Sequence, residues 1–429
     1  MCYYEHNISK MMKNVNMEVL MEYEVLSKLF YKDAEVYKQT YQQRFNLPGT
    51  IKLDFDVAGN QAFFVQDNEV IKLVYDILRL DKKIALLCRK LPRRALLQYS
   101  RKCLIDEIVL TNDIEGVHSS RKEIGEALNV LESQSEAKAK KTRFVGLVNK
   151  YLKLNSGEKV PLETCEDVRK LYDEIILTEV KEEDSDNIPD GKIFRKDKTS
   201  VFSATGTEIH PGMTPESKII EYMTKALDFL NNSDIENLYR ICLFHYMIGY
   251  IHPFYDGNGR LGRFTLSYCV SQSLEAIWAY RISEIIKEHR KEYYKAFEIC
   301  NNPRNLGDLT PFLIMMLQVI YVSGLELYNS LEEKKLVWDR YRGMIPYLDK
   351  SDEKAMTDLY GLLIQAAMFG EEGIPTMHLL GILEIGRAAL KSKLDIVRAQ
   401  ELLIEKKRDK TKFYQINIQK MDELYLKQK

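Results

Sequence analysis

The sequence predicts a mainly α-helical protein, and three observations support this fold class. Most long segments repeat apolar residues at a spacing of about 3.6, the period of an amphipathic helix. Ahead of the C-terminal region, two windows alternate apolar and polar residues as strands do, at 50–66 and 198–212. No internal repeat or low-complexity tract interrupts this pattern, and 429 residues are enough for two or three domains.

Residues 1–95 are predicted to form a helical N-terminal region that carries a β-hairpin. The window 50–66 alternates around Ala58-Gly59-Asn60, which is typical of a tight turn between two strands. The first twenty residues are polar and charged and lack an apolar core, so no signal peptide is expected. No motif in this region indicates a chemical activity.

The next helix is predicted over 96–116. It places Leu104, Ile108 and Thr111 on one apolar stripe, and Gly116 suits the position just after a helix end. The polar stretch 181–192 is predicted to be a loop. Capping boxes indicate two further helix starts, at Ser120/Glu123 and at Thr164/Asp167.

The segment with the clearest chemistry is IHPFYDGNGRLGR, residues 251–263. The preceding helix, 237–251, is apolar nearly all round and is predicted to be buried. It should end before His252-Pro253, because the residue before a proline disfavours helical backbone. Gly257, Asn258 and Gly259 then open a new helix, where free N–H groups and the helix dipole favour an anion.

Charged residues complete this segment. Arg260 and Arg263 lie three apart on the new helix and can clamp a polyphosphate, while Asp256 suits Mg²⁺ bridged to phosphate. His252 can accept a proton from an attacking hydroxyl. Each residue alone also has an ordinary structural explanation, such as a helix cap, a solvated face or a common turn. Together, within twelve residues, they favour transfer chemistry at a nucleotide phosphate.

A carboxylate lies at an unfavourable position at the end of the predicted helix 96–116. Glu115 extends the apolar stripe that includes Thr111, and it lies in the last turn, where the dipole disfavours negative charge. A carboxylate on a buried face indicates a cationic partner. The alternative is an exposed glutamate at a frayed helix end.

The stretch HPFYDGNGRLGR resembles the signature of the Fic (filamentation induced by cAMP) family, His-x-Phe-x-Asp/Glu-Gly-Asn-Gly-Arg-x-x-Arg, with every position filled. The resemblance extends over about 95–325. It implies a helical core with a β-hairpin flap, and transfer of AMP from ATP to a Ser, Thr or Tyr hydroxyl of a target protein. Some relatives move UMP or another phosphate-linked group, which stays an alternative.

The resemblance implies a role for each signature residue. His252 would be the general base that deprotonates the target hydroxyl, Phe254 the apolar anchor of the loop, and Asp256 the Mg²⁺ ligand. The implied nucleotide ligands are Gly257, Asn258 and Gly259 at the α-phosphate, and Arg260 and Arg263 at the outer phosphates.

The stretch TNDIEG, 111–116, fits the family's inhibitory pattern Ser/Thr-x-x-x-Glu-Gly/Asn. The resemblance therefore implies an inhibitory helix, 100–116, ahead of the signature, which is the arrangement of class II members. Glu115, with Thr111, would pair with Arg263 and displace the ATP γ-phosphate. In some relatives the same glutamate positions a water that removes AMP, so de-AMPylation also stays open.

Two further predictions follow from the resemblance. The hairpin 198–212, centred on Ala204-Thr205-Gly206, resembles the flap that pairs with the target backbone by strand addition, with Val201 and Ile209 as candidates to clamp the target residue. Tyr294 lies in a stretch that resembles the one near the adenine. The whole Fic domain is predicted at 96–335.

The C-terminal region changes character at the charged segment 348–358. Short helices followed by two strands with a charged turn predict a winged-helix-like domain over 345–429. Residues 381–429 hold 12 Lys and Arg against 7 Asp and Glu. A DNA-binding regulator is one reading of this excess, and a solvated small domain that packs on the body or binds protein is the other.

Bulk properties restrict the location and the partners. With 62 Lys and Arg against 63 Asp and Glu, no overall field draws the chain to nucleic acid or membrane. Seven cysteines without a C-x-x-C pair fit reduced thiols, and the apolar run 311–325 is too short to span a bilayer. A cytoplasmic protein is therefore expected, with no membrane partner; self-modification and a homodimer stay open.

Overall fold

The computed structural model describes residues 23–132, 142–154, 157–202, 208–232, 234–349, 351, 353–370, 373–408 and 411–428. Within these residues most of the chain is helical, and the strands form three small antiparallel sheets. The prediction of a mainly α-helical fold is therefore confirmed.

The chain divides into two compact units. The first comprises the residues up to Asp81 together with Leu104–Leu325, and the second comprises Lys82–Cys103 together with Glu326–Lys429. The functional domain boundaries at 1–95, 96–335 and 345–429 stay predictions.

The first unit begins with a helical segment and a hairpin. Its hairpin pairs β1 (Thr50–Val57) with β2 (Asn60–Val65), as the alternation predicted. Ala58 and Gly59 form the turn with φ of 50° and 79°, the left-handed geometry that matches the twist of paired strands. The helices around it are α1 (Leu26–Lys32), α2 (Ala34–Phe45) and α3 (Asn68–Lys90).

Capping boxes mark the starts of two helices of the first unit. Helix α4 is Arg93–Ile114, and α5, Arg121–Glu132, begins at a capping box in which Ser120 and Glu123 bond each other's backbone N–H. Short helix α6 is Val145–Lys153. Helix α7, Cys165–Ile175, begins at the predicted capping box of Thr164 and Asp167. Both predicted capping boxes are confirmed, whereas helix α4 begins three residues before the predicted window 96–116.

The predicted loop 181–192 is wrong in its first part. Helix α8, Leu177–Glu183, extends into it, and a single 3₁₀ turn follows at Ser185–Asn187. Val180 is buried and holds the last turn of the helix against the core, which outweighs the charged sequence after it. The flap backbone follows as β3 (Ser200–Phe202) and β4 (Glu208–Pro211), and its predicted turn lies outside the described residues.

Two helices at the centre of the first unit position the signature. Helix α10, Asn237–Ile251, has the bounds predicted from the sequence and is buried on nearly all sides. It packs against α11, Asn258–Ser273, which follows the signature loop. The surrounding helices are α9 (Glu216–Asn232), α12 (Ile282–Glu288) and α13 (Arg290–Asn301).

Helix α14, Thr310–Leu348, is much longer than the apolar run 311–325. Among the described helices it is the one that is long and apolar enough to cross a membrane, with a mean hydropathy of 1.5 in its most apolar window. In this structure 78% of that window is buried within the protein. The burial favours a core helix.

The second unit ends in a small sheet flanked by helices. Helix α15 (Lys354–Phe369) leads to β5 (Ile374–Pro375), and β6 (Leu403–Arg408) and β7 (Thr411–Ile416) complete an antiparallel sheet in the order β5-β7-β6. Buried residues such as Leu379, Leu394 and Tyr414 form its core. The remaining helices are α16 (Thr376–Leu383), α17 (Arg387–Ala399) and α18 (Ile418–Gln428).

Candidate active site

His252 ends helix α10 in a left-handed conformation, with φ of 52° and ψ of 63°. A residue with a side chain rarely adopts this geometry, and such strain is found mainly at functional sites. The buried Arg195 stabilises it, because its Nε donates to the His252 carbonyl at 2.9 Å and its Nη2 donates to the Met213 carbonyl at 2.9 Å. No sequence pattern identified Arg195, which lies between a buried phenylalanine and a lysine.

Phe254 anchors the signature loop in the core, the position that the resemblance implied. Its ring is fully buried and stacks on Tyr172 with a centroid distance of 3.7 Å. The Asn258 side chain closes the loop, since it accepts from the Phe254 N–H at 2.9 Å and donates to the Phe254 carbonyl at 2.8 Å. The amide group of Asn258 therefore shapes the loop, and anion binding by the N–H groups of the helix start stays a prediction.

The start of helix α11 has the geometry of an anion nest. Gly257 caps it with φ of 80°, and an added Cβ would lie 2.5 Å from Ile176 Cγ2, so both conformation and space require glycine. Asp256 accepts from the Gly257 N–H at 2.6 Å, and 45% of its side chain is exposed. Free N–H groups at a helix start favour a negatively charged group.

Asp256 is the residue of this site that suits a divalent cation. No group of three or more His, Cys, Asp or Glu side chains in the described part of the chain could enclose a metal ion. Mg²⁺ commonly binds through one or two carboxylates, with water and substrate phosphate oxygens as its other ligands. A single exposed carboxylate beside an anion nest fits that mode of binding and does not fit a metal held by protein groups alone.

Arg263 is bonded at all three of its guanidinium nitrogens, as Thr111 and Glu115 surround it. Its Nη1 donates to Glu115 Oε1 at 2.6 Å, its Nε to Thr111 Oγ1 at 2.7 Å, and its Nη2 to the Thr111 carbonyl at 2.8 Å. Arg263 is 1% exposed and the Glu115 side chain 28% exposed. The structure thus brings together three residues that the sequence pattern had linked.

The pair of Glu115 and Arg263 is ionised. Burial by itself would raise the pKa of the Glu115 carboxyl, but the charge and the hydrogen bond of Arg263 offset this and hold the pKa below its usual value. The same carboxylate lies against the anion nest, because a Cβ added to Gly259 would overlap its oxygens. A negative group therefore already lies beside the start of helix α11.

Arg260 has a partner that the sequence did not reveal. Its Nη1 donates to Glu179 Oε2 at 2.7 Å, and the two side chains are 1% and 5% exposed. Burial raises the pKa of Glu179, and the positive charge of Arg260 opposes that rise. Glu179 lies on helix α8, in the charged stretch that the periodicity did not identify as a buried face.

A second carboxylate, Glu107, is buried beneath helix α11. It accepts from the Ser267 hydroxyl at 3.3 Å and from the Ser283 hydroxyl and N–H at 2.6 and 2.9 Å. Burial raises its pKa to about 7, and the hydrogen bonds from Ser283 and the charge of Arg263 oppose the rise. This polar network supports the helix that carries both signature arginines.

Tyr294 lies on helix α13, where the charges of Glu115 and Arg263 both act on its hydroxyl. Burial raises its pKa, Glu115 raises it further and Arg263 lowers it. The neighbouring Tyr293 was not identified from the sequence; its hydroxyl bonds the buried His245 ring at 2.8 Å. The structure thus places Tyr294 beside the anion site, and its contact with adenine stays a prediction.

The base of the flap lies beside His252. Gly212, which follows β4, donates to the Thr199 carbonyl at 2.9 Å, and an added Cβ would lie 3.3 Å from His252 Cβ. In the backbone pairing Val201 faces His210. The side chains of Val201 and Ile209, the predicted clamp, lie outside the described part of the structure.

Residues 162–270 match the sequence model of the Fic/DOC family. Protein adenylyltransferase fic-1 of Caenorhabditis elegans is 28% identical over 158 residues, which is 35% of this chain and 28% of that protein. Protein adenylyltransferase Fic of Drosophila melanogaster is 27% identical over 167 residues, 39% of this chain and 30% of that protein.

A Fic family protein from Desulfovibrio desulfuricans G20 superposes with a TM-score of 0.48 and 17% identity over 82% of this chain and 96% of that chain. Fic-1 (aa134–508) of C. elegans superposes with a TM-score of 0.40 and 19% identity over 62% of this chain and 73% of that chain.

The similarity to the curated relatives is confined to the region around the signature. The chain spans less than a third of the length of those two relatives, 28% and 30%. The matched segment contains the whole motif from His252 to Arg263, helices α7 to α10 and most of helix α11. Residues 162–270 therefore contain a Fic/DOC family domain.

Proposed function

We propose that this protein transfers AMP from ATP to a hydroxyl side chain of a target protein, and that Glu115 holds the activity in check. The observation that carries the proposal is the position of the Glu115 carboxylate. It bonds Arg263 and lies over Gly259, so a negative group occupies the space between a signature arginine and the anion nest. Relatives with a matching segment are named protein adenylyltransferases.

At the α-phosphorus of ATP, the proposed reaction forms one bond and breaks one. The oxygen of the target hydroxyl attacks the α-phosphorus of ATP, its proton passes to His252, and the bond to the leaving pyrophosphate breaks. The N–H groups of Asn258 and Gly259, at the helix start that Gly257 caps, bind the α-phosphate oxygens, while Arg260 and Arg263 neutralise the outer phosphates. Mg²⁺, when bound at Asp256 and the phosphates, would supply charge neutralisation.

The inhibition we propose is a competition for Arg263. All three of its guanidinium nitrogens are bonded to Thr111 and Glu115, so a γ-phosphate can bind there only after the glutamate leaves. Coupling of this kind between two ligands is typically worth 1–3 kcal/mol, or about 5- to 150-fold. The target is proposed to pair with the flap backbone, whose base lies beside His252.

Labelling with ATP carrying a radioactive α-phosphate tests the proposal. With Mg²⁺ present, Glu115→Gly is expected to raise self-modification by about 5- to 150-fold over the wild type. Glu115→Gly with His252→Ala should lose about 100-fold or more of that signal, the contribution of a general base. Asp113→Asn is the matched control, since that carboxylate pairs with Lys287 instead. A Glu115→Gly variant as quiet as the wild type would contradict the inhibition.

The same assay separates the alternatives within this site. Labelled UTP offered in place of ATP tests transfer of UMP. De-AMPylation by the wild type would appear as release of AMP from the modified protein, in a reaction that Glu115→Gly loses. A cytoplasmic location is also proposed, because the six cysteines that the structure describes form no disulfide with one another.

The second unit supports a separate proposal, a winged-helix-like DNA contact. The order helix, strand, two helices, two strands over α15 to β7 is that of a winged helix. Exposed Lys407 and Lys412 lie directly opposite each other in the β6–β7 hairpin, and like charges so placed are destabilising without an anion nearby. Duplex binding that falls steeply with salt would support it, and no binding at low salt would contradict it.

A further inference from the structure

The two signature arginines differ in how their guanidinium groups are bonded. Arg263 donates from Nε, Nη1 and Nη2, and all three acceptors belong to Thr111 and Glu115. Arg260 donates from Nη1 alone, to Glu179 at 2.7 Å. Its Nε and Nη2 are shielded from solvent and bond no atom of the described residues.

Buried charged donors without an acceptor are unfavourable, so they indicate that a ligand supplies one. Nη2 of Arg260 lies 3.7 Å from Asp256 Oδ2, beyond hydrogen-bond distance but on the side of the anion nest. The unbonded edge of the guanidinium therefore belongs to the side where the nucleotide phosphates are proposed to bind. The bonded edge is the one that Glu179 holds.

We propose that Glu179 is a positioning residue that fixes one edge of the Arg260 guanidinium so that the other edge meets a nucleotide phosphate. It rests on the proposed function, and it adds a residue outside the signature to that site. The pair is a single hydrogen bond between buried groups, which orients the arginine and leaves two nitrogens for the substrate.

The backbone around Glu179 suits this role. Its N–H donates to the Ile176 carbonyl at 3.0 Å, in the first turn of helix α8. Ile176 in turn packs against Gly257, where an added Cβ would lie 2.5 Å from its Cγ2. One short segment thus contacts both the cap of helix α11 and the arginine at its first turn, so it aligns the nest with Arg260.

Binding of MgATP measured by calorimetry tests the inference apart from catalysis. The parent is the full chain with Glu115→Gly and His252→Ala, which has Arg263 released and turns over little substrate. Glu179→Leu and Glu179→Asp are each expected to weaken MgATP binding about tenfold, because both move or remove the acceptor for Nη1. Glu179→Gln keeps an oxygen acceptor of the same reach and should stay within about threefold of the parent. The exposed Glu182→Gln, on the same helix, is the matched control.

The ranking of the Glu179 variants by MgATP affinity distinguishes an effect of geometry from an effect of charge. A charge effect alone would leave Glu179→Asp like the parent and alter Glu179→Gln, and that result would overturn the inference. Tighter MgATP binding by Glu179→Leu would overturn it too, because Glu179 would then compete with the nucleotide. Should the leucine variant fail to fold, the aspartate and glutamine variants decide between these outcomes.

Failure of the inference and failure of the proposed function give different results. A Glu115→Gly variant that bound MgATP but transferred no AMP would contradict the function alone. Equal MgATP binding by every Glu179 variant and the parent would contradict the positioning role alone. A parent that bound no MgATP would contradict both.

Discussion

Oε1 of Glu115 lies 2.6 Å from Nη1 of Arg263, although the two residues are 148 positions apart in the chain. The contact joins the end of helix α4 to the first turns of helix α11. Because the glutamate also lies over Gly259, it occupies two features that a nucleotide phosphate would use. Four predictions follow from this contact and from the groups that support it.

Thr111→Val is expected to release part of the inhibition. Valine keeps the shape of threonine but removes the acceptor that bonds Arg263 Nε at 2.7 Å, which leaves a buried donor unpaired at a cost of about 1–3 kcal/mol. The initial rate of AMP transfer should rise, but by less than with Glu115→Gly. Thr111→Ser keeps the hydroxyl and is the control. Equal rates for the valine and serine variants would contradict the role given to Thr111.

The ion pair should stabilise the fold at neutral and alkaline pH. The folded-state pKa of Glu115 lies below its usual value of 4.5, so the pair contributes its full stability above pH 4.5 and loses it as the pH falls through the folded pKa. The difference in Tm between the wild type and Glu115→Gln is expected to be constant from about pH 8 to pH 5 and to shrink at lower pH. A difference that grew on acidification would contradict this assignment.

The contribution of Glu107 to stability should change with pH in the opposite direction to that of Glu115. Its pKa rises from 4.5 to about 7 on folding, so between these values the folded state binds more protons than the unfolded state and stability falls as the pH rises. The difference in Tm, wild type minus Glu107→Gln, is therefore expected to decrease as the pH rises from about 5 to about 7.5. The exposed Glu126→Gln is the control. A Tm difference independent of pH would show that Glu107 does not titrate in this range.

Phe254→Ala should destabilise the Fic/DOC domain strongly. The ring is fully buried and stacks on Tyr172 at 3.7 Å, and removing a buried phenylalanine typically costs 3–5 kcal/mol, so a loss of about that size is expected in urea unfolding followed by circular dichroism. The neighbouring Tyr255→Phe removes only a hydroxyl, which donates to Asp190 at 3.0 Å and accepts from the Asp197 N–H at 2.9 Å, and should cost about 1 kcal/mol. Similar losses for both variants would contradict the anchoring role.

The sequence predicted the parts of this protein that depend on local physical rules. Helix α10 was predicted residue for residue, because an apolar run ends before His252-Pro253 and nothing else competes. The hairpin at 50–66 and both capping boxes followed equally from local chemistry. The link between Glu115 and Arg263 could be predicted only because a family pattern relates residues that are distant in sequence.

The residues that the sequence did not reveal act through distant contacts. Glu179 lies in a charged stretch, and nothing in its neighbours shows that Arg260 buries it. Arg195 acts through main-chain carbonyls, which every residue has, so no sequence pattern marks its partners. Glu107 lies on the same helix as Thr111 and bonds two serines, Ser267 and Ser283, from later helices. Such contacts become visible only when the helices are packed.

Helix α4 ends at Ile114, so Glu115 is carried just beyond the last helical residue, followed by Gly116 with φ of 77°. A group at a fraying terminus can detach while the rest of its helix stays in place, since helix ends open at a small fraction of the global unfolding free energy. We expect that a signal can relieve the proposed inhibition without moving the rest of the domain. A force or a ligand that acts on this single turn of the backbone is enough to separate Glu115 from Arg263.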